Sequence, residues 1–277
     1  MDNYRKNNLK CSINTTRIYS TSFSLGVRLL DKQYRDHIYS IYGFVRYTDE
    51  IVDTFLEYDR ATLLEEFRAD AWKAIERGIS LNPILDSFQH TVNECRIDHA
   101  LIEDFLKSME MDLHYHRYSK SELVKYIYGS AEVVGLMCLR VFYLDDDKAY
   151  EELKYPAQKL GEAFQKVNFL RDAQADYHNK GRVYFKNIDF ENFTPDAKQR
   201  IEAEIQSDFD EAFKGIVQLK SQVRLGVYLA YRYYLNLFLK IKYAKPEAIL
   251  KQRYRVSNPQ KGVLMFKASI RNAMGLF

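Results

Sequence analysis

The sequence predicts an all-α fold, built as one large helical bundle. Three observations lead there. Glycine (11) and proline (5) are scarce in 277 residues, so few turns interrupt the chain. Apolar residues recur at helical spacing along most of its length. No sustained period-two alternation bounded by hairpin turns appears.

Residues 1–13 are polar and read as a flexible N-terminal tail on a single domain spanning 1–277. Helices are expected near 14–29, 33–57, 60–78, 83–95, 99–115, 120–144, 148–178, 195–219, 221–243 and 259–275. Apolar spacing supports the first three. The fourth opens on Asn82-Pro83, a capping residue followed by proline at the first helical position. The fifth rests on spacing again. Ser119-x-x-Glu122 is a capping box ahead of the sixth, a long apolar pattern from Leu123 to Leu144. Pro156 starts or bends the seventh. Thr194-Pro195 and Asn258-Pro259 open the eighth and tenth in the manner of Asn82-Pro83. The longest connection, "NKGRVYFKNIDFENFTP", is of a length that bundles often reserve for function.

Bulk properties exclude several classes. A net charge of +3 and the lack of a basic run interleaved with aromatics argue against nucleic acid. Cys11, Cys95 and Cys138 are scattered, with no metal-binding spacing, and read as reduced thiols in a cytosol. No signal-like N-terminal segment and no run of about 18 apolar residues is present. No G-x-G-x-x-G or Walker loop offers a dinucleotide or nucleotide cradle.

Chemistry concentrates in two stretches. In "RYTDEIVDTF" the residues Tyr42, Arg46, Asp49 and Asp53 follow each other by four, three and four, beside an apolar stripe. Buried carboxylates need a positive partner. Taken alone, such a pair reads as solvated surface more readily than as a metal site. The second stretch, "QKVNFLRDAQADY", shifts that balance. There Gln165, Asn168, Asp172 and Asp176 share a face with Arg171 beside them. Facing helices are where bundles build internal polar sites. Carboxylate and amide oxygens select Mg²⁺ or Mn²⁺. No histidine has a glutamate three residues before it, so the di-iron signature is absent, and His114-x-His116 is a weak metal motif. Two such pairs across a cavity suit a diphosphate leaving group, with a dry pocket for the carbocation left behind. The 22 Tyr and 17 Phe fit cation stabilisation, although aromatics at helical spacing are more often plain core.

These residues resemble the squalene/phytoene synthase family, in the pattern of bacterial phytoene synthases, along nearly the whole chain. "STSFSLGVRLL" looks like the N-terminal Ser-Phe segment, with Ser20, Ser22 and Phe23. "IYGFVRYTDEIVD" looks like the first aspartate-rich motif. "SMEMDL" resembles a short motif ending in Asp112, and "YIYGSAEVVGLMCL" the segment carrying Tyr128 and Gly135. "AFQKVNFLRDAQADYHNKGRVYF" resembles the second aspartate-rich motif and its tail, with Arg182 and Tyr184. "RYRVSNPQKGVLM" matches a C-terminal Arg and Lys pattern more loosely. Three departures stand out: Glu132 where glycine is usual, Thr21 where some relatives carry a basic residue, and Phe185-Lys186 in place of Leu-Pro. None removes a carboxylate.

The resemblance implies an isoprenoid-synthase-type bundle with a central cavity. It implies head-to-head condensation of two prenyl diphosphates, geranylgeranyl diphosphate in the leading reading, through a cyclopropyl diphosphate to phytoene. Asp49, Asp53, Asn168, Asp172 and Asp176 would hold Mg²⁺. Arg46, Arg171 and Arg182 would grip diphosphate oxygens. Tyr42, Tyr128 and Tyr184 would border the cation, or equally sit as core rings. Ser20, Ser22, Phe23 and Gln165 would line the substrate. Gly135 and Gly161 read first as close helix packing. NADPH is not expected. The alternatives are a squalene or dehydrosqualene synthase acting on farnesyl diphosphate, a cyclising terpene synthase, and a non-catalytic assembly factor. The last should have lost ligands, and all four aspartates are present. The expected place is cytoplasmic, peripheral to the inner face of a membrane. The basic residues of "KQRYR", with Lys267 and Arg271, read as a solvated face or as a contact for anionic lipid, the former being the plainer account.

Overall fold

The structure is a computed structural model that describes residues 2–114, 118–180, 194–249 and 251–276, with the backbone alone for 174–180 and 247. Among the described residues every regular element is helical, and no helix is long and apolar enough to cross a membrane.

Helix α1 (Asp2–Tyr19) replaces the expected tail. Its polarity misleads because part of it is buried. Asn8 donates from Nδ2 to Asp86 Oδ2 at 2.8 Å, and Ser12 sits where only a glycine, Gly43, leaves room. The helix expected over 14–29 is broken at Ser20. That residue is extended (φ −145°, ψ 94°), and its Oγ accepts from Phe23 N at 3.2 Å, capping α2 (Thr21–Arg28).

Helix α3 (Lys32–Asp53) ends on the second aspartate of the first motif. Helix α4 (Arg60–Arg77) closes on Gly78 in the left-handed region, φ 71°. Asn82 caps α5 (Pro83–Cys95) as the sequence implied, and α6 (His99–Met111) follows. The Ser119/Glu122 capping box forms at α7 (Lys120–Ile127). A π turn, Tyr128–Glu132, then interrupts the expected single helix before α8 (Val133–Phe142). Pro156 lies inside α9 (Asp147–Lys180). Thr194 caps α10 (Pro195–Ile216), followed by α11 (Ser221–Lys242) and the short α12 (Pro246–Ile249). Ser257, not Asn258, caps α13 (Asn258–Ala273). Most of the long connection, residues 181–193, lies outside the described residues, as does His116.

Packing explains much of the aromatic content. Phe44 is fully buried, its ring 3.9 Å from that of Phe88 and flanked by Phe67 and Phe105. A second apolar cluster centres on Phe209, Tyr231 and Phe238, and Val227 packs against both clusters. The three cysteines are free thiols.

Glu132, at the end of the π turn, is half-buried beside α9. Burial pushes its carboxyl up to about 7, Glu162 adds to the rise, and Lys159 opposes it. A carboxyl whose pKa is raised in the fold binds its proton more tightly folded than unfolded. Its contribution is therefore intact below the ordinary value of 4.5 and is lost as pH rises through about 7. Glu132→Gln keeps an acceptor for Gln158 Nε2, now 3.0 Å away. Relative to wild type, the variant is expected to gain about 1 kcal/mol above pH 7, after discount for partial exposure, and nothing near pH 4.5. Denaturant unfolding at the two pH values checks this.

Candidate active site

Helices α2, α3, α8, α9, α10 and α11 enclose a cavity of about 810 Å³. Apolar side chains such as Val27, Leu139 and Phe142 form much of its wall. Asp49, Asp53 and Asp172 all line it, so two stretches more than a hundred residues apart in sequence meet at one hollow. Asp176 lies one turn after Asp172 on α9, and its side chain is outside the described residues. Arg182 and Tyr184 are outside them altogether.

The charges in the wall balance locally. Arg46 Nη1 lies 3.4 Å from Asp49 Oδ2, its Nη2 pairs with Glu50, and its guanidinium covers the Tyr19 ring at 4.3 Å. Its Nε is buried without a hydrogen-bond partner, a donor suited to an incoming anion. Arg171 grips its neighbour Asp172 through Nε at 3.1 Å and Nη2 at 2.5 Å. Burial works against the Arg171 charge, but Asp172 and Tyr234 outweigh it and hold the group above its ordinary pKa. Arg253, from the segment between α12 and α13, reaches Asp172 Oδ1 at 2.7 Å, an oxygen that Arg171 Nε also contacts.

Ser20, Ser22, Phe23, Tyr42, Gln165 and Asn168 line the same cavity. Phe23 stacks on Tyr42, ring centroids 4.9 Å apart. Burial pushes the Tyr42 hydroxyl up to about 12 against the pull of Arg46, so it stays protonated and donates at neutral pH. Tyr128 does not line the cavity. Tyr126 does, and its hydroxyl donates to Asp112 Oδ2 at 2.7 Å. Positions two apart on a helix point about 200° from each other, so only one of these rings can face inward. Burial, then Asp104 and Glu132, raise the pKa of Tyr128 on its own side.

Several residues of the site escaped the sequence. Tyr19 and Tyr234 line the cavity, the latter stacked on Phe164 at 3.9 Å. Arg253, which also lines it, begins the loosely matched "RYRVSNPQKGVLM" and belongs to "KQRYR", read as a surface feature; neither reading placed it in the cavity wall. Lys261, on α13, hydrogen-bonds Thr21, so a distant lysine stands beside the position where some relatives carry their own basic residue.

The donor set fits a hard divalent cation. All candidate ligands are oxygens, and Asn168 Oδ1 is buried with no hydrogen-bond partner while its Nδ2 lies 3.5 Å from Gln165 Oε1. Among the described residues no three His, Cys, Asp or Glu side chains form a metal cluster by themselves, and the Asp176 side chain is not among them.

A helical shell around one largely apolar cavity, with acids and guanidinium groups in its wall, is an isoprenoid-synthase-type arrangement. The chain belongs to the squalene/phytoene synthase family, whose model matches residues 16–260. Family members are head-to-head prenyltransferases that depend on divalent metal. A 4,4'-diapophytoene synthase of Staphylococcus haemolyticus is 27% identical over 266 residues, covering 88% of this chain and 90% of that protein. The chloroplastic phytoene synthase 2 of Solanum lycopersicum is 30% identical over 265 residues, covering 88% and 84%. A crystal structure of a dehydrosqualene synthase in complex with ligand aligns with a TM-score of 0.80 over 98% of both chains, at 20% identity. That last likeness is one of fold.

Proposed function

We propose that the chain joins two geranylgeranyl diphosphates head to head, through a cyclopropylcarbinyl diphosphate, and releases phytoene after loss of a proton. The observation that carries this reading is that one cavity, lined by many apolar side chains, also has Asp49, Asp53, Asp172, Arg46, Arg171 and Arg253 in its wall. The phytoene synthase relative at 30% identity supports the C20 donor.

Asp49, Asp53, Asn168, Asp172 and Asp176 are the residues that would hold Mg²⁺ or Mn²⁺, which when bound neutralises charge on the departing diphosphate. The guanidinium groups of Arg46, Arg171 and Arg253 bind diphosphate oxygens in a planar, two-pronged way. Protonated Tyr42 donates to the same anion. Val27, Leu139 and Phe142 keep water from the allylic cation. Phe164, Phe169 and Tyr126 line the cavity, and an aromatic ring near a cation is worth about 0.5–2 kcal/mol. Arg253→Gln removes one cation from Asp172 and from the anion site. It is expected to raise the apparent KM for the diphosphate roughly tenfold with the fold unchanged, read from initial rates.

A second reading uses farnesyl diphosphate and ends at dehydrosqualene. The diapophytoene synthase relative favours it. Incubation of the purified protein with Mg²⁺ and each diphosphate, without NADPH, decides between them. A C40 product from the C20 donor is the expected result; an exclusively C30 product overturns it.

A further inference from the structure

Helix α13 has one face with a partner and one without. Leu264 and Ala268 are buried against α11. On the outer side Val263, Phe266, Ile270 and Met274 are 52%, 67%, 43% and 65% exposed. Their spacings of three, four and four place all of them on one helical stripe. Scattered exposed apolar residues are ordinary, but a continuous stripe of large ones marks an interaction surface.

The charge of the segment that carries the stripe has one sign. Residues 251–277 contain Lys251, Arg253, Arg255, Lys261, Lys267 and Arg271 and no aspartate or glutamate. Lys267 is exposed and lies about 20° around the helix from Met274, directly beside the stripe. The helix starts close to the cavity, whose wall includes Arg253. Lys261 in its second turn bonds Thr21, and Arg253 just upstream pairs with Asp172.

We infer that the outer face of α13 docks on an anionic lipid surface. The helix lies in the plane of the interface, with Phe266 and Ile270 inserted among the acyl chains and Lys267 against headgroup phosphates. A second copy of the chain is the weaker fit. A two-fold contact through this stripe would bring together two copies of a segment that carries basic residues and no acidic one. An anionic bilayer matches both the apolar stripe and the sign of its surroundings. The inference concerns where the protein sits and does not depend on the length of the prenyl donor.

Vesicle flotation of the full-length protein tests it, with phosphatidylcholine vesicles with and without phosphatidylglycerol. Wild type is expected to float with the anionic vesicles and to be released by added salt. F266S/I270S is expected to reduce the floated fraction about tenfold or more, with an unchanged helical circular dichroism spectrum and unchanged mass in solution by light scattering. Lys267→Glu, which alters no buried group, is expected to reduce flotation in the same direction. Wild type that stays at the bottom with both kinds of vesicle overturns the proposal. So does a double variant that floats as well as wild type. A wild-type dimer that the double variant splits, with flotation unchanged, assigns the stripe to a second copy and overturns it as well.

Discussion

Replacing Asp53 by asparagine is expected to lower turnover by about 10³-fold and to make the fold slightly more stable. Both effects follow from its place at the last residue of α3. The C-terminal end of a helix carries partial negative charge, and acids there are unfavourable by about 0.3–1 kcal/mol each. This end holds Asp49, Glu50 and Asp53, with no basic residue in its last turn. Arg60 offsets part of the cost by donating from Nη1 to Val52 O at 2.7 Å, and Arg46 by pairing with Asp49 and Glu50. Asparagine keeps the shape and removes the charge, so the melting temperature should rise or hold. The same charge is what a metal-assisted departure of diphosphate needs. Loss of a single preorganised electrostatic group costs on the order of 10²–10³ in rate. Product formation measured beside thermal unfolding separates the two effects. A variant with turnover near that of wild type would remove Asp53 from the reaction, whatever its stability.

Features set by neighbouring residues were legible in the sequence. The caps at Asn82 and Ser119 lie where their motifs placed them, because a cap is made by residues two or three positions away. The i, i+4 geometry of Asp49 and Asp53 is likewise fixed by the helix itself. What failed to show depends on distant partners. Residues 2–13 read as a tail because Asn8 and Ser12 are polar; Asp86 and Gly43 explain their burial, and neither is near in sequence. Ser20 can continue a helix or cap one, and only the structure chooses. The π turn leaves no local mark, so the single helix expected over 120–144 became α7, the turn and α8. In the site, the family resemblance pointed to Tyr128, and it is Tyr126, two positions earlier, that lines the cavity. Arg253 lies about 80 positions from Asp172, and no local pattern links them.

Gly161 is where the fold and the cavity constrain each other most tightly, and valine there is expected to cost about 3 kcal/mol. Glycine inside a helix is normally unfavourable by about 1 kcal/mol relative to alanine, so a larger residue would gain propensity if space allowed. Space does not allow it. A Cβ at Gly161 would lie 2.7 Å from the carbonyl oxygen of Ala131 and 2.9 Å from its carbonyl carbon. Those are backbone atoms of the π turn and cannot rotate away. A Cβ at Gly135 would lie 3.0 Å from the Ala157 oxygen, so α8 and α9 also meet nearly backbone to backbone. Overpacking of this kind outweighs the propensity gain, because relief requires moving a whole helix. Gly161 and Ala131 both line the cavity, and α9 also carries Gln165, Asn168 and Asp172. Any outward shift of α9 therefore moves one half of the polar site against the other. Gly161→Val is expected to lower the urea midpoint and to lose activity even where it remains folded, with Gly161→Ala intermediate in both. An alanine variant more stable than wild type by the full helix-propensity gain would mean that the two helices are not in contact at this point.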